Sequence, residues 1–208
     1  MIAFVAANAT ALFGRSDVLT VGTDVNRFAC KGTAETVSGA VAATRASFHV
    51  RADEGQAHEA GVGVWLDAIN GSLTSCLRPQ SVDVLLFNPP YVPSEVVPVS
   101  ADAGAGNAAH ANLSKHDIFM RDSNCLALAT DGGEDGMEIT NELLEQLPMV
   151  LSERGVAYVL LCAQNRPEEV KKRVRAWEGG GKWVVETVHE SGKQGGWEKL
   201  QIVRIARE

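Results

Sequence analysis

The 208-residue sequence has little that would cross-link it, hold a metal or anchor it in a bilayer. Its four cysteines, Cys30, Cys76, Cys125 and Cys162, are far apart and form no CxxC pair. They argue against a disulfide framework and read as free thiols in a reducing compartment. The five histidines are scattered, with no HExxH spacing, so no metal site is expected. No apolar run approaches the length of a membrane span, and no signal peptide is evident. The expected location is the cytoplasm, with the nucleus left open, and no membrane partner is expected. Positive charge is also in short supply: 19 Lys and Arg against 26 Asp and Glu, a net charge of −7. That balance disfavours broad attraction to a phosphate backbone, so nucleic acid is a disfavoured partner that a local basic patch could still admit. The length suits one domain over residues 1–208, and the 45% hydrophobic content suits a sizeable core.

What stands out is one stretch. Val82 to Phe87, with Asp83 its one charged residue, is a largely apolar run that ends abruptly in Asn88-Pro89-Pro90-Tyr91. The run reads as a strand, apolar on both faces and so central in a parallel sheet. The prolines stop it, since they cannot donate to a ladder and Pro90 drives Pro89 into an extended conformation. A turn without these N–H groups presents carbonyl oxygens, Asn88 adds a neutral acceptor and Tyr91 a flat ring. Such a set suits a planar NH2 group, a carboxamide or the exocyclic amine of a base. Two acceptors hold its hydrogens and the ring packs on its face, which is catalysis by orientation and by stabilising charge that develops on nitrogen. The place, just beyond the carboxyl end of a strand, is where open α/β sheets carry their sites. The plain alternative is a proline-terminated strand followed by a turn tyrosine.

Along the rest of the chain, Ile2 to Phe13 reads as an apolar helix stopped at Gly14, and Val18 to Val21 as a short strand ending at Gly22-Thr23-Asp24. A helix from about Asn26 to Ala40 follows, with Asn26 as its cap. Phe48-His49-Val50 reads as a strand fragment, Gly63 to Ala68 as a third strand, and Asn70-Gly71-Ser72 as a turn. Residues 94–124 read as a flexible insertion, low in complexity at 101–107. A helix from about Met137 to Leu151 carries Ile139, Leu143, Leu144, Leu147 and Val150 on one stripe. Gly155 to Cys162 is a buried strand. Pro167 to Trp177 is a basic amphipathic helix whose Lys171, Lys172, Arg173 and Arg175 read as a solvated face. Trp183 to His189 and Trp197 to Ile205 read as a closing strand pair.

Asn88-Pro89-Pro90-Tyr91 behind that strand resembles motif IV of class I S-adenosylmethionine-dependent amino-methyltransferases. With Gly22-Thr23-Asp24-Val25-Asn26, Gly132-Gly133-x-x-Gly136 and Leu151-Ser152-x-x-Gly155, the pattern is more specific. It resembles the eukaryotic and archaeal branch of the HemK-like glutamine methyltransferases, over most of the chain outside 94–124. The resemblance implies a Rossmann-like α/β sandwich with a mostly parallel sheet and an antiparallel C-terminal strand. It implies S-adenosylmethionine as cofactor, with Asp24 and Val25 at its ribose and Asp67 and Ala68 at its adenine. Asn88 then lies against both donor and acceptor. It implies methylation of the glutamine amide in the Gly-Gly-Gln region of a class-I translation termination factor, with Asn88, Pro89, Pro90 and Tyr91 as the catalytic set. A small zinc-binding activator protein is the implied heterodimer partner, at the edge near Val62–Trp65. One departure matters. The glycine-rich loop belongs about twenty residues before the ribose acid, and no GxG stands at the start of this sequence. The first strand and its loop are expected to be missing, leaving neighbouring strand edges to pair differently or stay open. Two alternatives stand beside this reading. One is methylation of another planar amine, including adenine N6; the other is a non-catalytic fragment that binds a partner and no donor.

Overall fold

A computed structural model describes residues 1–53, 61–98, 114–178, 181–191 and 199–208. The low-complexity stretch at 101–107, the turn expected between the closing strands and Trp197 lie outside the described residues. The chain divides into two compact units, Met1–Cys76 and Leu77–Glu208.

In the first unit the apolar N-terminal segment is two short helices, α1 (Ile2–Ala7) and α2 (Ala9–Phe13), rather than one. The break is at Asn8, whose backbone leaves the helical region and whose side chain donates back to the Phe4 carbonyl at 2.8 Å. Gly14 ends α2 in the left-handed conformation, as expected from its place. Strand β1 (Leu19–Asp24) pairs in parallel with β2 (Val64–Asn70). The crossover is α3 (Arg27–Asp53), the connection that parallel strands require. Asn26 caps α3: its Oδ1 accepts from Phe28 N–H at 2.9 Å. The helix runs well beyond Ala40 and takes in Phe48-His49-Val50, which are helical and not a strand fragment. The apolar triplet carries no period of its own, and the helix simply propagates through it. Ala6, Val37 and Val41 form a buried cluster, with Ile2, Ala3, Val62 and Trp65 packed against it. Val64, Leu66 and Leu19 are exposed.

The second unit is a four-stranded sheet in the order β3-β4-β6-β5. Strand β3 (Val82–Phe87) lies parallel to β4 (Leu151–Cys162), and β6 (Leu200–Arg207) runs antiparallel between β4 and β5 (Trp183–Glu190). The closing antiparallel strand of the sequence reading is thus present. The remaining helices are α4 (Lys115–Thr130), α5 (Glu138–Val150) and α6 (Pro167–Arg175). Helix α4 begins inside the stretch expected as an insertion. Ser114 and Asp117 cap it reciprocally, each side chain accepting from the other's backbone N–H. Helix α5 buries Leu143, Leu144, Leu147 and Val150 of the expected stripe, and β4 buries Ala157, Val159 and Leu161 in strict alternation.

Two expectations about this unit fail. Strand β3 is bordered by β4 alone among the described residues, and Val84 and Leu86 remain 40% and 37% exposed. A run of apolar residues marks a strand that can be buried, but burial needs neighbours. The face of α6 is not simply solvated either: Lys171 is buried, its Nζ donating to Thr187 Oγ1 at 2.9 Å and pairing with Glu168. Its methylene stem lies inside while the charge finds partners at the rim.

Leu147 is fully buried in α5. Leu147→Ala is expected to destabilise the second unit by about 2–5 kcal/mol, read as a lower denaturation midpoint at an unchanged slope.

Candidate functional site

The residues singled out in the sequence fall in both units. In the second, β3 delivers Asn88 to the surface, Pro89 is buried, and Pro90 and Tyr91 are half-buried. The Asn88 side chain makes no hydrogen bond among the described residues, and no donor among them reaches the Pro89 carbonyl. Neither acceptor is taken up by a donor of the described chain. The carbonyls of Pro90 and Tyr91 face a different way, into the protein.

What they face is the glycine turn at 132–136. A Cβ on Gly132 would lie 2.3 Å from the Pro90 oxygen, and one on Gly136 would lie 2.0 Å from the Tyr91 oxygen. Neither distance is tolerable, so only glycine lets the two backbones touch. Gly136 also has φ +68, a left-handed conformation that other residues rarely adopt. Hydrogen bonds lock the contact. Val92 N–H donates to the Thr130 carbonyl at 2.9 Å and Gly132 N–H to the Val92 carbonyl at 2.8 Å. Ser94 N–H donates to the Gly133 carbonyl, and Gly133 N–H to Ser94 Oγ, each at 3.0 Å.

Asn165 closes the arrangement, and the sequence reading missed it. It is 1% exposed and follows β4 in a short 3-10 turn. Its Nδ2 donates to the carbonyls of Tyr91 at 3.1 Å, Asp135 at 3.0 Å and Gly136 at 3.3 Å, while its Oδ1 accepts from Cys162 N–H at 2.7 Å. Arg166, the next residue, pairs with Asp135 at 3.1 Å. The only local signal was an asparagine just after a buried strand and before a proline-started helix.

In the first unit, Asp24 ends β1 with an exposed carboxylate, and its Oδ1 accepts from Asn26 N–H at 2.7 Å. The acid therefore helps shape the entry to α3 as well as facing solvent. Its carbonyl accepts from Asn70 Nδ2 at 3.0 Å, and the same nitrogen reaches the Val25 carbonyl at 2.9 Å. Asn70 thereby ties the ends of β1 and β2 together. Asp67 lies within β2, earlier than the strand-end position expected, with its Oδ1 accepting from Ala68 N–H at 2.8 Å. In register, Val21 faces Asp67 and Asp24 faces Asn70, so the two acids share one strand pair, about 10 Å apart along it. Cys30 sits beneath: its Sγ approaches the Asp24 carbonyl at 3.4 Å, and burial, with the Asp24 charge as a lesser cause, pushes its thiol up. Among the described residues no group of His, Cys, Asp and Glu could hold a metal ion, and no helix is long and apolar enough to cross a membrane.

No protein-family model matches the chain. It does match curated proteins. The eRF1 methyltransferase catalytic subunit mtq2 of Schizosaccharomyces pombe is 33% identical over 126 residues, covering 61% of this chain and 43% of that protein. Methyltransferase HEMK2 of Homo sapiens is 28% identical over 128 residues, covering 62% and 47%. A Methanocaldococcus jannaschii protein, provisionally named an N5-glutamine methyltransferase, is 30% identical over 93 residues, covering 45% and 36%. Over those stretches the chain is similar to proteins named as methyltransferases, and its mixed helices and strands, with parallel pairs β1–β2 and β3–β4, are consistent with a Rossmann-like methyltransferase fold. It spans less than half the length of the curated relatives it matches.

Gly136→Ala is expected to lower stability by at least the about 1–3 kcal/mol of left-handed strain, because its Cβ must also displace Tyr91; chemical denaturation measures it. Thiol labelling gives a second test. Exposed Cys76 is expected to react with maleimide at once, whereas buried Cys30 reacts only on unfolding, and raising the pH to about 9 narrows the gap little.

Proposed function

We propose that this chain carries the acceptor turn and adenosine-binding acids of a methyltransferase. Its substrate is the glutamine side-chain amide in the Gly-Gly-Gln region of a class-I translation termination factor. The observation that carries the reading is a turn whose Tyr91 carbonyl is held by Asn165 and whose Pro90 carbonyl packs against Gly132, while Asn88 Oδ1 and the Pro89 carbonyl have no donor among the described residues. The homology to proteins named for eRF1 methylation supports the same reading.

S-adenosylmethionine, the implied cofactor, supplies an electrophilic methyl group on a sulfonium. The residues present fit its adenosine half. Asp24 offers an exposed carboxylate to ribose hydroxyls, with Val25 beside it, and Asp67 with Ala68 offers a carboxylate and an apolar contact to adenine. The glutamine amide donates one hydrogen to Asn88 Oδ1 and one to the Pro89 carbonyl, with Tyr91 packed beside it. Both acceptors are neutral dipoles, so they hold the nitrogen without a formal charge and strengthen as it becomes positive. Pro89 and Pro90 contribute by lacking N–H groups that would compete for those oxygens.

The proposed partner is a small zinc-binding activator seated on the β1–β2 pair. Val62 and Trp65, named for that surface from the sequence, pack inward, while Val64 and Leu66 are 43% and 57% exposed and Leu19 66%. Those three are the apolar surface a partner would cover. The proposed location is cytoplasmic, with the nucleus also open.

The test is labelled methyl transfer to a recombinant termination factor with the activator present, alongside its Gln→Ala form and an oligonucleotide. Transfer to the wild-type factor alone is expected, and Asn88→Ala is expected to lower kcat about 100-fold. Calorimetry that finds no S-adenosylmethionine binding, even with the activator, would overturn catalysis and leave a partner-binding role.

A further inference from the structure

We propose that Asn165 is a positioning residue for the acceptor turn, acting through the Tyr91 carbonyl; the proposal rests on the function inferred above. Four observations carry it. Asn165 is 1% exposed, so its amide is not a surface accident. Its NH2 group is aimed at the carbonyls of Tyr91, Asp135 and Gly136, which come from the acceptor turn and the glycine turn behind it. Its own oxygen is fixed by Cys162 N–H, at the end of the strand that pairs with β3. The glycines on the far side bring the two backbones into direct contact, with Gly132 against the Pro90 oxygen and Gly136 against that of Tyr91.

The chemistry follows from the inventory of donors. Pro89 and Pro90 cannot donate, so the turn cannot brace itself with its own N–H groups at those positions. An outside donor must hold it, and a primary amide offers two hydrogens on one rigid plane. Three carbonyls share those two hydrogens, so one of the bonds is three-centred. The amide thereby sets three carbonyl dipoles of like sign side by side, an arrangement that repels itself once the donor is removed. Tyr91 then shifts, and with it Pro89 and Asn88, which would hold the substrate amide. Orientation is lost while the surfaces that bind the termination factor stay intact, so kcat falls and KM holds.

The experiment compares the wild-type chain with Asn165→Asp, which keeps the shape and places an acceptor against three others. Val174→Ala serves as a control of similar instability; Val174 is fully buried in α6, which contacts β5 and β6. Methyl transfer to a recombinant termination factor gives kcat and KM, and amide hydrogen exchange follows Val92 and Gly136. Asn165→Asp is expected to lose about 10–100-fold in kcat, with KM and S-adenosylmethionine affinity within about threefold and faster exchange at both amides. Val174→Ala is expected to keep kcat at a matched melting temperature. If Asn165→Asp does not fold, Asn165→Ala removes the amide without adding charge and is read in the same way. Unchanged exchange and kcat in the folded variant would overturn the proposal. So would a loss matched by Val174→Ala, since that is what general destabilisation produces. If the wild-type chain transfers no methyl group, the proposed activity fails. Exchange at Val92 and Gly136 then decides alone whether Asn165 pins the turn.

Discussion

The arrangement of the second unit depends on a contact between two pieces of backbone. Two carbonyls of a turn poor in N–H groups lie against glycines that have no Cβ to separate them. Such a contact is fragile by nature. Two chains of carbonyl dipoles do not attract each other, and a buried carbonyl left without a donor costs about 1–3 kcal/mol. Asn165 supplies a donor to the Tyr91 carbonyl, and the Val92, Gly132 and Ser94 hydrogen bonds hold the two segments together around it. The same constraint explains why Gly132 and Gly136 sit where they do. It also sorts the oxygens of the turn. The Tyr91 oxygen is held by Asn165 and the Pro90 oxygen packs against Gly132, whereas Asn88 Oδ1 and the Pro89 carbonyl have no donor among the described residues.

Much of this was legible in the sequence where the signal was local. The end of β3 was marked by two prolines, the caps of α2 and α3 by Gly14 and Asn26, and the stripe of α5 by its helical period. The place of Asp24 at the end of β1 was also local, an acid closing a short strand. Asn165 was not, because its partners lie 74 and 30 residues away in sequence and no period or spacing connects them. A lone asparagine after a strand looks like a cap or a turn residue. Only the fold shows that its amide reaches across to another strand's end. Asn70 is a second case: it read as a turn residue, yet it bonds to carbonyls more than forty positions away.

The misreadings share a cause as well. An apolar run records what a strand could bury, and β3 has the run without a second neighbouring strand among the described residues. A cluster of basic residues records charge, and α6 spends part of that charge internally: Lys171 on Thr187, Arg173 on Asn141, Arg175 on the Val185 carbonyl. Phe48 to Val50 look like a strand in isolation but continue a helix already nucleated at Asn26. In each case tertiary context outweighed a correct reading of local composition.

The charges of the candidate residues follow the chemistry proposed for them. Ribose hydroxyls and an adenine amine are neutral donors that do not change charge during methyl transfer. Exposed carboxylates, in the role proposed for Asp24 and Asp67, would bind such groups in ground state and transition state alike, which favours binding without lowering the barrier. The acceptor nitrogen is different, since it gains positive character only as the bond to carbon forms. A carboxylate there would attract nearby cations indiscriminately and would hold the amide strongly before reaction. Fixed carbonyl dipoles interact modestly with a neutral amide and more strongly with one becoming cationic, provided they cannot reorient. That proviso is the physical reason for the proposed clamp: the dipoles of Asn88 and Pro89 would be useful only on a turn that is unable to move away.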